Sequence, residues 1–197
     1  MKAIDVLGAL GAEVREVRTP PVHYMPLVLA ASATESAAWL LPFALQGPQV
    51  FADQHIWERV IVGQFVRVAD ALKAARLRNL LRREFALLME EVDVLALPTN
   101  VTPAFPIDVE GKLSGGKPRG DHSITSMLTV PFNYVGMPAI SVPCGLTAEG
   151  LPVGLMIAGR HWEDHVVLRV AYAAQQAITG GYLVPPVAKS PELATPP

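Results

Sequence analysis

The chain has 197 residues, of which 51% are hydrophobic and only 17% charged. That length fits one domain with a sizeable core. Charge is sparse beside the ~25% of an average protein, so much of the surface is either internal or packed against other polypeptide. A net charge of −2 excludes a basic surface for nucleic acid or an anionic membrane. A single cysteine, Cys144, excludes an intrachain disulfide framework. The first residues carry no apolar signal segment, and no run approaches the ~18–20 apolar residues of a membrane span. The expectation is a cytoplasmic protein with neither nucleic acid nor membrane as partner.

In chain order, Ile4, Leu7 and Leu10 space a short helix over residues 2–10, with Gly11 as its stop. Glu13–Val17 alternates polar and apolar residues, as a half-buried strand does, and Pro20 and Pro21 end it. Residues 26–45 are rich in Ala and Leu and predict a helix ending near Pro42, followed by a turn at Gly47–Pro48. Residues 64–91 give the clearest helix, with Ala74, Leu77, Leu81, Phe85 and Leu88 along one face. Val92–Leu97 then reads as a short buried strand stopped by Pro98. Residues 98–122, rich in Pro, Gly and Lys, form a long loop of the kind that is functional or mobile in compact domains. Residues 123–135 predict a short helix. Ala139–Val142 and Val153–Ala158 predict strands joined by a turn near Ala148–Gly150. Trp162–Ile178 predicts a last helix with Glu163 and Asp164 near its positive end. The boundaries place one folded portion over residues 1–180 and a proline-rich tail, extended or disordered, over 181–197.

Three stretches carry a specific resemblance: ALKAARLRNLLRREFALLMEEVDVLALPT (71–99), SITSMLTVPFNYVGMPAISVPCGLTAEGLPVGLMIAGRHWEDHVVLRVAYAAQQ (123–176) and the weaker LGALGAEVREV (7–17). In order and spacing they resemble the C-terminal region of the amidase-signature family, which includes general amidases and the A subunit of glutamyl-tRNA amidotransferase. The run T-x-P-x-N-x-x-G-x-P-A-x-S-V-P-x-G followed by G-L-P-x-G-L is the most telling part. The resemblance implies an α/β fold, a mixed sheet flanked by helices. It also implies amide hydrolysis by a Ser–Ser–Lys triad, with backbone N–H groups forming the oxyanion hole and no cofactor or metal.

In that family the lysine and both serines lie in a Gly/Ser-rich region upstream of the part this chain resembles, and no such run occurs here. No residue of this chain is therefore expected to be catalytic, because acyl transfer needs a nucleophile beside its base and donors aimed at the oxyanion. Ser114-Gly115-Gly116-Lys117 matches the spacing of a serine–lysine acyl-transfer motif. It sits in a Pro/Gly-rich loop rather than at a helix start and reads as surface. His161 and His165 are four apart, but the intervening Glu163 and Asp164 are misplaced for a metallohydrolase motif, so the pair reads as polar residues at a helix start. Cys144, beside Gly145 at a strand end, reads as an inert thiol.

The candidate substrate-binding residues are Arg78, Ser123, Ser126 and Val130. Arg78 shares a stripe with Ala71, Ala75 and Leu81, and a guanidinium on an apolar stripe needs a partner. The resemblance aligns it with an arginine that helps hold a substrate carboxylate in the amidotransferase; the alternative is a structural ion pair or a snorkelling side chain. Ser126 stands where the amidotransferase carries an acid suited to an ammonium group, which points away from glutamine and toward a less polar amide. Ser123 and Val130 share its helical side. Asn133, Gly136 and Pro138 read as architectural, shaping a helix–strand connection. The expectation is thus the C-terminal part of an amidase, inactive alone. It would supply sheet and pocket wall, with a small amide as substrate and a missing N-terminal half or partner chain. The alternatives are a split amidase or a non-catalytic scaffold, and open strand edges would favour oligomers.

Overall fold

The computed structural model describes residues 2–20, 25–104 and 127–181. The Ser114–Lys117 segment, Ser123, Ser126 and the proline-rich tail lie outside them. The chain divides into two compact units, Met1–Val17 with Glu91–Pro197, and Arg18–Glu90.

The first unit contains helix α1 (Lys2–Ala9), strand β1 (Val94–Pro98), helix α5 (Val130–Val135), strands β2 (Ala139–Leu146) and β3 (Pro152–Gly159), and helix α6 (Asp164–Thr179). The strands form one sheet in the order β1-β3-β2, both pairings antiparallel. The expected α/β class therefore appears as a small antiparallel sheet flanked by helices. β3 takes the centre because its apolar run has no polar face to offer water: Leu155, Met156, Ile157 and Ala158 are all buried. Register places Ile157 between Ala96 of β1 and Ile140 of β2. That row packs with Val142, Leu155 and Leu7 of α1 against Val167, Ala171 and Ala174 of α6. Burying an aliphatic side chain this fully contributes about 1.5–3 kcal/mol. Gly159 is the close-approach point, since a Cβ there would overlap Val167 of α6.

Gly11 does stop α1: it adopts φ 95° and the Ala12 N–H donates to Leu7 O over 3.1 Å. The strand expected over Glu13–Val17 is absent; residues 12–20 have no regular structure. Alternation alone does not make a strand without a neighbour to pair with, and Val14 is half exposed. The segment is held instead by a side-chain hydrogen bond from Arg15 Nη2 to Glu91 O.

The second unit contains α2 (Met25–Ala44), a 3-10 turn (Pro48–Val50), α3 (Gln54–Gly63) and nearly all of α4 (Val68–Glu91). α2 runs two residues past Pro42. So near the helix end, the proline forfeits only one helical hydrogen bond, and Leu45 N–H still closes on Leu41 O at 3.0 Å. α2 and α3 pack antiparallel. Trp57 Nε1 donates to Ala44 O (3.0 Å) at one end. At the other, Gly63 lies so close to the Ala33 carbonyl and Ala37 that a Cβ would collide with both. α3 begins at an N-cap, Asp53, whose carboxylate accepts from His55 N–H at 3.0 Å. The long amphipathic helix begins at Val68, four residues later than expected. Its buried positions are Ala74, Leu81, Phe85 and Met89, so Met89 rather than Leu88 completes the stripe.

Candidate functional site

Two of the three stretches that carry the family resemblance meet at one corner of the sheet. Thr99, at the end of β1, donates its N–H to Gly154 O of β3 at 2.9 Å. Its hydroxyl lies 2.5 Å from the Ser141 hydroxyl of β2. β1 and β2 are not neighbours, so the two side chains must lean over β3 to touch. They do so at Gly154, where a Cβ would collide with both oxygens. The threonine of A-L-P-T, the serine of A-x-S-V-P and the second glycine of G-L-P-x-G-L thus form one unit, a hydroxyl bridge across a central strand. Sequence reading missed it. Positions 42 apart are brought together by strand register, and the sole signal was the paired small and hydroxylic residues in the motifs.

The same sheet ends on α5 through a built connection. Gly136 caps α5 in the left-handed region (φ 78°, ψ 33°), and Gly136 and Met137 N–H both close on Phe132 O, at 2.9 and 3.0 Å. Pro138 follows, and its carbonyl accepts from Gly159 N–H at 3.0 Å. The architectural reading of Gly136 and Pro138 therefore holds. His161 is part of the same joint: its Nε2 lies 2.8 Å from Val135 O, and it precedes α6 rather than sharing a helical face with His165. Among the described residues no group of three or more His, Cys, Asp or Glu is placed to hold a metal ion.

Arg160 ties together the ends of three elements. It donates to Val92 O (2.9 Å), Asp93 Oδ1 (3.2 Å) and Glu163 Oε2 (3.3 Å). Burial works against its charge, but the hydrogen bonds to Asp93 and Glu163 more than offset this and push its pKa up. The Cys144 thiol packs half-buried against the sheet core, and burial pushes its pKa up too, away from the reactive thiolate.

Of the expected substrate-binding residues, two fall within the described residues. Arg78 lies on α4 at the spacing of the buried stripe, three residues before Leu81 and seven before Phe85, yet its side chain is exposed. Val130 opens α5 and is half-buried, with Pro131 next in the first turn. Arg78 belongs to the helical unit and Val130 to the sheet unit.

A family model described as Amidase matches residues 1–168. The chain is 34% identical over 204 residues to the A subunit of the glutamyl-tRNA(Gln) amidotransferase of Geobacillus thermodenitrificans strain NG80-2, covering 90% of this chain and 40% of that protein. Among solved structures, an amidase superposes with a TM-score of 0.76 at 30% identity, covering 90% of this chain and 41% of that one. The corresponding amidotransferase protein of Thermotoga maritima superposes with a TM-score of 0.59 at 26% identity, over 89% and 37%. The chain thus spans about 40% of the length of the curated relatives it matches. With the match running through most of the chain and its motifs meeting in one sheet, the chain belongs to the amidase family.

Proposed function

We propose that this chain is the C-terminal part of an amide-hydrolysing enzyme, supplying sheet and substrate-pocket wall to a catalytic N-terminal part. The observation that carries this is the pairing of a family match over residues 1–168 with coverage of only about 40% of the relatives' length. Within this reading the nucleophile, its relay serine and the lysine base come from the other part, and residues 1–197 alone do not turn over amides. The chemical reason is that an isolated wall provides neither an activated nucleophile nor the oxyanion donors, each worth orders of magnitude in rate.

Arg78, Ser123, Ser126 and Val130 line the substrate side in this proposal, on the strength of the resemblance and of their helical spacing. The hydroxyl of Ser126 offers no charge to a substrate ammonium group, so the substrate is a less polar amide than glutamine. The test is hydrolysis of a panel of aryl and aliphatic amides by the purified chain, with and without a co-expressed N-terminal amidase part. No turnover alone and turnover on complementation is the expected result, with Arg78→Ala then raising KM for carboxylate-bearing amides. Turnover by the chain alone would refute the proposal. Complementation without any effect of substitutions at the four positions would remove the pocket assignment only.

A further inference from the structure

The helical unit exposes apolar side chains in groups rather than singly. On α2, Trp39 is 82% and Phe43 51% exposed, one turn apart, with exposed Ala38 and Pro42 filling the same patch. Phe65, in the turn before α4, and Val68 and Leu72 in the first turns of α4 are 81%, 75% and 55% exposed. Scattered exposed apolar residues are ordinary, but contiguous patches mark contact surfaces. Burying a Trp or Phe is among the larger single contributions a fold receives, so leaving two on one helix face in water forgoes much of the available stabilisation.

We infer that the Trp39–Phe43 pair on α2 and the Phe65, Val68 and Leu72 side chains around the start of α4 are interior positions of the longer amidase fold, covered by the polypeptide of the other part. The inference rests on the proposed function and identifies where its partner docks. The occupant follows from length: this chain spans about 40% of the relatives it matches, so most of their fold is built from polypeptide outside the matched part. The partner surface is accordingly apolar.

The test uses the full chain, alone and co-expressed with the N-terminal part of the Geobacillus thermodenitrificans relative. Hydroxyl-radical footprinting reads oxidation at Trp39, Phe43 and Phe65, and co-purification reads binding. The expected result is strong oxidation of all three in the monomeric chain and several-fold protection in the complex. Trp39→Asp with Phe43→Asp is expected to weaken the complex about tenfold or more, as loss of aromatic anchors does. Footprinting of the unmutated chain keeps the test independent of how that variant folds. Protection already present in the monomer would overturn the inference, because the chain would then cover these side chains itself. Protection only in a self-associated form would assign them to a second copy and overturn it equally. A complex that forms with all three residues still oxidised would overturn the docking surface while leaving the amidase reading intact. Absence of any complex would overturn both.

Discussion

The two units of this chain solve the problem of apolar burial differently. In the sheet unit, β3 is flanked on both edges and covered on one face by α1 and α6, so Ile157 is fully shielded from water. In the helical unit, α2 and α3 meet through small residues, Ala33, Ala37 and Gly63, which bring backbones close but bury little side-chain area. Large residues of that unit, Trp39 and Phe43 among them, are left outside. Close approach through glycine gives a well-defined helix pair, whereas stability on the scale of a domain needs large apolar side chains removed from water. The sheet unit has that around Ile157; the helical unit buries Val60 and Phe85 while Trp39, Phe43 and Phe65 stay in water.

That contrast can be broken most directly at Ile157. Ile157→Ala should destabilise the sheet unit by about 2–5 kcal/mol, read as a lowered denaturation midpoint with unchanged m-value. A loss below about 1 kcal/mol would mean that the core is not the anchor it is taken to be. Gly63→Ala tests the other unit. Its Cβ meets the Ala33 carbonyl, so the helices must separate, at about 1–3 kcal/mol, and hydrogen exchange in α2 should accelerate while that in β3 does not. Exchange rising equally in both would show that the units do not open independently.

Arg160→Ala should cost about 1–2 kcal/mol, because Val92 O loses a charged donor, and the loss should persist at high salt since a hydrogen bond rather than screened attraction is at stake. Cys144 gives a pH signature confined to the sheet unit. Its thiol pKa is raised by burial from an ordinary value of 9.0. The unfolded chain therefore loses that proton first, so this contribution to stability is full below pH 9 and declines as pH rises above it. Cys144→Ala should flatten that decline, and an identical slope in the variant would assign it elsewhere. The smallest effect is expected at Trp39→Ser: within about 0.5 kcal/mol for the isolated chain. A large loss there would show that Trp39 is already buried, and the contrast between the units would disappear.

Much of the helical and strand content was legible because it rests on local patterns. The helix stop at Gly11, the left-handed cap at Gly136 and the buried run Leu155–Ala158 each follow from residue types within a few positions. α3 was readable from Asp53 as an N-cap and from Ile56, Trp57, Val60 and Ile61 at helical spacing, but it is short, at 10 residues. Glu13–Val17 misled because alternation is necessary for a half-buried strand and not sufficient; a partner strand is needed too. On the candidate site, the sequence pointed to Arg78 by its place on an apolar stripe, and the stripe spacing is right while the burial is not.

The sequence by itself determined where the chain turns, which segments are apolar enough to be central, and the amidase family, since motifs at fixed spacing are local information. The tertiary structure alone decided the antiparallel order β1-β3-β2 and the meeting of Thr99 with Ser141 over Gly154. It also decided which large apolar residues stay in water. The reason is physical. Register and helix docking depend on the summed fit of many distant side chains, so no short stretch of sequence encodes them, and a single absent methyl group at Gly154 or Gly63 settles whether two elements can touch.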